Sequence, residues 1–355
     1  MLDGSVGHWQ KNLRIIPSID ENPSASARFH KYHCPSRSIV IALGSRTPRC
    51  SRARTRRLQW DFRVPGAALA WLDLGLFKKY GLTLEPILFR GGAESTHALS
   101  GNEIQFDVVS PQPHIAANLS GADIVIIGTY FNKHTYSFVA RPGIWSPQDL
   151  RGKKVGVLSV VGLNQIVVAA ALRHWAMDER SVTLVRTGGS RDRFAALQNG
   201  LIDATVLTGA FVERAKAAGL PVLLDLGDLE DAFPTVSMMT TRSFQSSKRL
   251  VVRSFLQGLG EAIYVFKNDP VLGKKTLSKW MRTQDTVLLD SAYKSYAPKI
   301  TLPPYSQVAG IQIVVDDLAN TRPDAKGKKA QEFIDEEILR ELDKEGFFQR
   351  LQKTR

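Results

Sequence analysis

Small polar residues follow several of the predicted strands, and they are the side chains best placed to hold a ligand. They lie in four segments: Ser110-Pro-Gln112, Tyr130-Phe-Asn132, Ser159 to Asn164, and Thr208-Gly209. In α/β sheets, the loops at the carboxyl ends of strands form the ligand crevice. The sequence therefore predicts a binding site drawn from these segments, with contacts from Ser110, Gln112, Tyr130, Asn132, Ser159, Val160, Gly162, Asn164 and Thr208.

The segment Leu158 to Asn164 precedes a predicted helix, and its chemistry has two interpretations. The free backbone N–H groups of the helix start, together with Ser159, could hold an anionic group, with roughly 0.3 to 1 kcal/mol coming from the helix dipole. Alternatively, Ser159 or Asn164 caps the helix, as either residue type commonly does. The two interpretations are compatible, and the residues alone leave both open.

Motifs for catalysis or metal binding are absent from the body of the chain. Its four histidines, His97, His114, His134 and His174, have no metal-ligand spacing. The sequence has no GxSxG elbow or phosphate-binding loop, and Gly188-Gly189-Ser190 lacks both the lysine and the spacing of such a loop. We therefore expect no catalytic residue, no metal and no cofactor, and the pattern favours binding without chemistry.

The charge of the chain is concentrated at its start. The 355 residues are 43% apolar and 23% charged, as in ordinary globular proteins, and carry a net charge of +13. Residues 1–57 hold 11 basic and three acidic residues, whereas the remainder holds 36 basic and 31 acidic. We interpret 1–57 as an irregular basic head, either disordered or belonging to a mis-assigned start. The body has an ordinary charge balance, so we expect no nucleic-acid partner.

Two alternatives for the head are weaker than a solvated basic tail. His30, His33, Cys34 and Cys50 do not follow a paired zinc-ligand spacing. The arginines between Arg46 and Arg57 lack the interleaved aromatic residues of a nucleic-acid-binding segment.

The head also has no convincing export signal, because the apolar run Ile39 to Gly44 is too short and is followed by arginines. Nowhere does the chain contain the ~20 consecutive apolar residues of a membrane-spanning helix.

Short apolar strands alternate with amphipathic helices from about Leu58 onward, which predicts an α/β fold with parallel or mixed sheets. We expect two lobes, the first formed by 58–140 with 241–355 and the second by 141–240. Extended segments 137–141 and 235–240 would connect them, so that the lobes enclose a cleft at two crossing strands. Long helices are predicted over 66–80, 248–268 and 327–346.

Four segments resemble the solute-binding proteins of ABC importers in the nitrate, sulfonate and taurine group, which are related to pyrimidine-synthase-like domains. They are Leu74 to Gly81, Ala98 to Asp107, Leu150 to Gly156, and Ala196 to Ala204. The resemblance implies a type II periplasmic-binding-protein fold with two lobes and two crossing hinge strands. It also implies ligand contacts near Pro65 and Gly66, in addition to the loops selected above.

The function implied by the resemblance is delivery of a small, anionic solute to an ABC permease in the membrane. The implied protein is a monomer located in the periplasm or otherwise outside the cytoplasm, and it closes on its ligand by a hinge motion. Positive charge near the loops could come from Arg63, Arg90, Lys133, His134, Arg191 and Arg193, although most of these are expected to be solvated. The alternatives are a sensing domain of the same fold that signals to a protein partner, and a pyrimidine-synthase-like enzyme. The enzyme is disfavoured because the body has no cysteine.

Overall fold

The computed structural model describes residues 39–41, 75–89, 92–160, 162–229, 232–281 and 283–353. The described strands, in chain order, are β1 Ile39–Ile41, β2 Pro86–Leu88, β3 Phe106–Val109, β4 Ile124–Phe131, β5 Tyr136–Ala140, β6 Lys154–Val157, β7 Thr183–Arg186, β8 Ala204–Thr208, β9 Val222–Asp225 and β10 Val236–Thr241. The described α-helices are α1 Leu76–Lys79, α2 Gly92–Ser100, α3 Gln112–Leu119, α4 Leu163–His174, α5 Ser190–Gln198, α6 Ala210–Ala217, α7 Arg242–Ser247, α8 Arg249–Asn268, α9 Pro270–Met281, α10 Thr286–Tyr296, α11 Val308–Ala319, α12 Glu337–Lys344 and α13 Phe347–Lys353.

The strands form two five-stranded sheets. The first has the order β2-β1-β3-β10-β4, and all of its neighbouring strands are antiparallel. The second has the order β7-β6-β8-β5-β9, with β6 parallel to β7 and β8, and β5 antiparallel to β8 and β9. The prediction of parallel or mixed sheets is therefore right for the second sheet and wrong for the first. One reason is that β10 returns from the second sheet and runs opposite to β3 and β4.

Helices cover both faces of each sheet. In the first sheet, one face packs against α1, α8 and α12, and the other against α2, α3 and α11. In the second sheet, α4 lies on one face, while α5 and α6 lie on the other. Within the first core, the ring of Phe106 on β3 stacks on Phe255 of α8 with centroids 4.0 Å apart. These layers fix the strand ends that carry the predicted site.

The helix predicted over 248–268 is confirmed at Arg249–Asn268, because its apolar residues recur on one buried face. By contrast, the single helix predicted over 327–346 is wrong. A 3-10 turn spans Ala330–Phe333, and α12 begins only at Glu337. Between them, the N–H of Asp335 donates to the carbonyl of Ile126 at 2.9 Å, so the chain is drawn out along β4. Of the helix predicted over 66–80, residues 66–74 lie outside the described residues.

The two sheets are joined by two segments that hydrogen-bond to each other, at 131–135 and 226–235. The N–H groups of Phe233 and Thr235 donate to the carbonyls of Asn132 and Phe131, each at 2.9 Å, and the Thr235 hydroxyl donates to the carbonyl of Lys133 at 2.8 Å. We call this pair of segments the hinge. β5, which the predicted boundary at residue 140 assigns to the first lobe, pairs in the second sheet.

None of the described helices has the length and apolar composition needed to cross a membrane.

Candidate functional site

One wall of the predicted site is the turn between β3 and α3. Ser110 follows the last residue of β3, and Pro111 caps α3 without a side-chain hydrogen bond, so Gln112 becomes its first residue. Both Ser110 and Gln112 are 8% exposed. The Ser110 Oγ atom is buried and has no hydrogen-bond partner. A buried hydroxyl without a partner carries a desolvation cost, which a bound ligand would relieve.

The opposite wall is the loop between β6 and α4. Leu158 and Val160 are 36% and 48% exposed there, and Ser159 is half-buried. Gly162 is the N-cap of α4 with φ 118° and ψ −167°, a conformation almost restricted to glycine, and it contributes no side-chain cap. The amide Oδ1 of Asn164 accepts from the N–H of Leu158 at 3.1 Å. The N-cap residue is therefore Gly162 rather than Ser159 or Asn164, and the Asn164 side chain instead binds the backbone of the preceding loop.

These two walls face each other. The Gln112 Oε1 atom lies 3.5 Å from the point that a Cβ atom on Gly162 would occupy. Gln112 belongs to the helix that follows the first sheet's β3, and Gly162 to the loop that follows the second sheet's β6. The structure thus brings together predicted residues from both sheets at one place.

A second approach between the sheets occurs at the end of β8. Thr208 is the last residue of β8 and is 8% exposed. Gly209 follows it with φ 50° and caps α6, and a Cβ atom there would collide with the hydroxyl of Tyr296 on α10. Tyr296 is 7% exposed, and burial raises the pKa of its phenol. Tyr296 was missed in the sequence; the signal that could have suggested the contact is the glycine directly after the strand.

Tyr130 and Asn132 are positioned differently from the other predicted residues. The ring of Tyr130 is fully buried in the core of the first sheet, 5.3 Å from the ring of Phe131, and burial raises the pKa of its hydroxyl well above the usual value. Asn132 is 2% exposed. Its Nδ2 donates to the carbonyls of Thr129 and Tyr305 and to the Thr301 hydroxyl, and its Oδ1 accepts from the N–H of Gln307. The contact of either residue with a ligand stays a prediction that this placement does not support.

Three of the four described cationic candidates, Lys133, His134 and Arg193, are hydrogen-bonded to the backbone or neutral. Lys133 donates to the carbonyl of Leu229 at 2.7 Å. His134 is buried, and its burial lowers the pKa to about 3, so the ring is neutral. Arg191 is exposed, as expected. Arg193, in contrast to the expectation of a solvated side chain, is 1% exposed and donates to the carbonyls of Gly188 and Val206 and to the Ser190 hydroxyl.

Several predicted residues lie outside the described residues. They are Pro65, Gly66, Arg63, Arg90 and the histidines and cysteines of the head. Within the described part of the chain, no group of three or more His, Cys, Asp or Glu side chains is arranged to hold a metal ion.

Two cavities flank the hinge, and neither coincides with the facing walls. The larger, of about 330 Å³, lies between α6 and α10, and the smaller, of about 230 Å³, lies beside α4 and is lined by Ile313 of α11. Ser110, Gln112 and Gly162 line neither of them.

Solved structures share this architecture over most of their length. The aliphatic sulphonate-binding protein SsuA of Escherichia coli matches with a TM-score of 0.63 and 20% identity, covering 78% of this chain and 95% of that chain. The alkanesulfonate-binding SsuA of Xanthomonas axonopodis pv. citri, solved with MOPS bound, matches with a TM-score of 0.60 and 14% identity over 79% of this chain and 94% of its own. The desulfurization enzyme DSZB matches with a TM-score of 0.63 and 14% identity, covering 80% of this chain and 97% of that chain. These likenesses confirm the type II periplasmic-binding-protein fold.

A comparison with curated protein sequences finds no match. The family model described as NMT1/THI5 like matches residues 68–271, which is more than half of the chain. This range contains all four segments that carry the resemblance. The chain belongs to the NMT1/THI5-like family.

Proposed function

We propose that this protein is the solute-binding component of an ABC import system and holds a small anionic solute, such as a sulfonate, taurine or nitrate, between its two sheets. The observation that carries the proposal is the position of Gln112 opposite Gly162, because it puts ligand-binding groups from both sheets within reach of one molecule. The SsuA proteins, which share the fold, support the same choice.

The donors at the facing walls suit an anion without a cationic side chain. Residues 110–112 and 158–164 contain no lysine, arginine or histidine. They offer the Ser110 hydroxyl, the Gln112 amide and the first N–H groups of α4, whose N-cap Gly162 leaves them without a side-chain acceptor. Helix N-termini bind anions through these free N–H groups and the helix dipole. Leu158 and Val160 would lie beside the organic part of the solute.

Closure by the hinge would link binding to the arrangement of the lobes. A solute that touches both Gln112 and the α4 start favours the closed arrangement, so the apparent affinity depends on how much of the protein is closed. We propose the two sheets with their covering helices as the moving bodies; relative to the predicted lobes 58–140 with 241–355 and 141–240, β5 then belongs to the second lobe and β10 to the first. The partner for delivery would be a membrane permease, and the protein would act as a monomer outside the cytoplasm.

An enzyme is the second candidate, because DSZB has the same fold. A likeness of fold does not carry an activity. The described residues contain no cysteine, and the histidine of the first wall, His114, bonds through Nε2 to Asp107 at 2.9 Å in the interior. A turnover assay on every ligand that binds separates the two candidates: product formation favours the enzyme.

The test is a thermal-shift screen of the full chain with sulfonates, taurine, nitrate, aromatic carboxylates and pyrimidines. A ligand that binds the folded state raises the melting temperature. Ser110→Ala and Gln112→Ala should each lower the affinity for the ligand identified in the screen by about tenfold, because each removes one hydrogen bond to a charged group. Gln148→Ala, at an exposed residue of the second sheet's periphery, is the control and should leave binding unchanged.

A further inference from the structure

The smaller cavity beside the hinge has the composition of a ligand site of its own. Its volume is about 230 Å³. Ile166 and Ala170 of α4 form one wall, Ile313 of α11 another, and Phe233 of the hinge also lines the cavity; the exposed Arg173 and His174 at the end of α4 complete the lining. Because α4 covers the second sheet and α11 the first, a molecule in this cavity would touch elements on both sides of the hinge.

His134 provides the polar group of this cavity. It is one of the lining residues and is 2% exposed, and its Nδ1 atom has no hydrogen-bond partner. Its ring stacks on Phe233 with centroids 4.0 Å apart and planes 17° apart, so its orientation is fixed. Burial, followed by the charges of Lys133, Lys299 and Arg173, lowers the pKa of His134 to about 3. The imidazole is therefore neutral at ordinary pH, with one nitrogen donating and the other accepting.

The charges around the cavity do not favour an ionic ligand. Arg173 pairs with Glu179 at 2.8 Å, and both side chains are about half exposed. Asp317 of α11 bonds to Gln165 of α4, and burial raises the pKa of this carboxyl group. Arg173 and His174, both exposed, therefore form a polar rim, while Ile166, Ala170, Phe233 and Ile313 with the neutral His134 line the inner part of the cavity.

Size and chemistry together define the ligand. An apolar cavity of about 150 Å³ is enough to bind benzene, so this cavity has room for one substituted ring. A ring with a single hydroxyl or N–H group would fill the space between the apolar residues and place its polar group beside the His134 imidazole. We propose that this cavity is an accessory site for a small, neutral aromatic molecule of the phenol type, separate from the proposed solute site.

Phenol itself is the probe, titrated into the full-length protein by calorimetry. We expect saturable binding at one site. Ala170→Phe and Ile313→Phe fill the cavity from its two walls, and each should lower the affinity for phenol by about tenfold or more. Val308→Phe, at a 42% exposed residue of α11 that does not line the cavity, should bind phenol as the wild type does.

His134→Phe tests the polar contact separately, because it keeps the ring on Phe233 and removes both nitrogens. It should lower the affinity for phenol by roughly three- to tenfold, which corresponds to the loss of one hydrogen bond, and leave the affinity for toluene unchanged. Gln112→Ala should leave phenol binding unchanged, so failure of the solute proposal does not affect this one. The accessory site is overturned if phenol does not saturate the wild type, or if it binds equally well to both filled variants when circular dichroism shows them folded.

Discussion

The Oε1 atom of Gln112, at the start of α3, lies 3.5 Å from the position of an added Cβ atom on Gly162, at the start of α4. The two helices start at the facing edges of different sheets, and each start lacks a side-chain cap. This relationship concentrates helix-start N–H groups, one amide and one unpartnered hydroxyl at the same place between the two sheets.

Gly162→Ala should destabilise the protein by about 1–3 kcal/mol, because alanine is strained at φ 118° and ψ −167°. The added Cβ would meet Gln112 only at ordinary contact distance, so backbone strain is the main cause. Urea unfolding measures the change. Gly200→Asn is the control: φ there is +69°, no atom lies within 4 Å of the added Cβ, and asparagine tolerates the left-handed conformation. A Gly162→Ala protein as stable as the wild type would contradict the conformation of the loop.

Gly209→Ala should prevent α6 from approaching α10, because the added Cβ collides with the Tyr296 hydroxyl. Small-angle X-ray scattering should then show a larger radius of gyration, since the two sheets are held further apart. Adding Tyr296→Phe removes the colliding oxygen and leaves the nearest ring carbon at 3.2 Å, so the double variant should regain part of the compaction. If the single and double variants have equal radii, this contact does not limit the approach.

Asn132→Asp should destabilise the protein by about 3 kcal/mol, because a buried amide loses its donors and a carboxylate faces the carbonyls of Thr129 and Tyr305. The change would also weaken the hydrogen bonds by which the hinge segment 131–135 is attached to residues 301–307. Urea unfolding checks the loss. Asn102→Asp, at an exposed turn, should stay within about 0.5 kcal/mol of the wild type. Equal stabilities for the two variants would exclude the structural role of Asn132.

Glu336 gives the protein a pH dependence of known sign. The carboxyl group is 3% exposed and accepts from the N–H of Ser306 at 2.7 Å, and burial raises its pKa. Above the unfolded pKa of about 4.3 the unfolded state binds fewer protons than the folded state, so stability falls as the pH rises toward the folded pKa.

Glu336→Gln should remove this contribution and keep the acceptor for Ser306. Measured by urea unfolding between about pH 4 and pH 8, the wild type should lose stability relative to the variant as the pH rises. A difference between the wild type and Glu336→Gln that stays constant with pH would contradict its burial as a titrating group.

The sequence predicts elements whose pattern is local. The helix α8 follows from the apolar face that recurs along its sequence. The break before α12 does not, because it depends on the bond between Asp335 and the distant Ile126.

The candidate site was predictable only in part, because strand ends can be located from the pattern but side-chain directions cannot. In β4, irregular pairing with β10 interrupts the alternation of side chains, and both Tyr130 and Phe131 pack into one core. Tyr130 therefore lies in the interior although it follows the same rule as Ser110. Arg193 likewise bonds to the carbonyls of Gly188, in the loop before α5, and Val206, in β8, a role that its position in the first turn of α5 does not reveal.

The central claim is that one solute binds between the two sheets at Gln112 and the start of α4. Titration calorimetry of the full-length protein with the panel of sulfonates, taurine, nitrate, aromatic carboxylates and pyrimidines tests it most directly. The account predicts saturable binding of at least one compound at one site, weakened by about tenfold in Gln112→Ala and unchanged in Gln148→Ala. Absence of binding across the panel in folded protein, or an affinity that Gln112→Ala leaves intact, would contradict it.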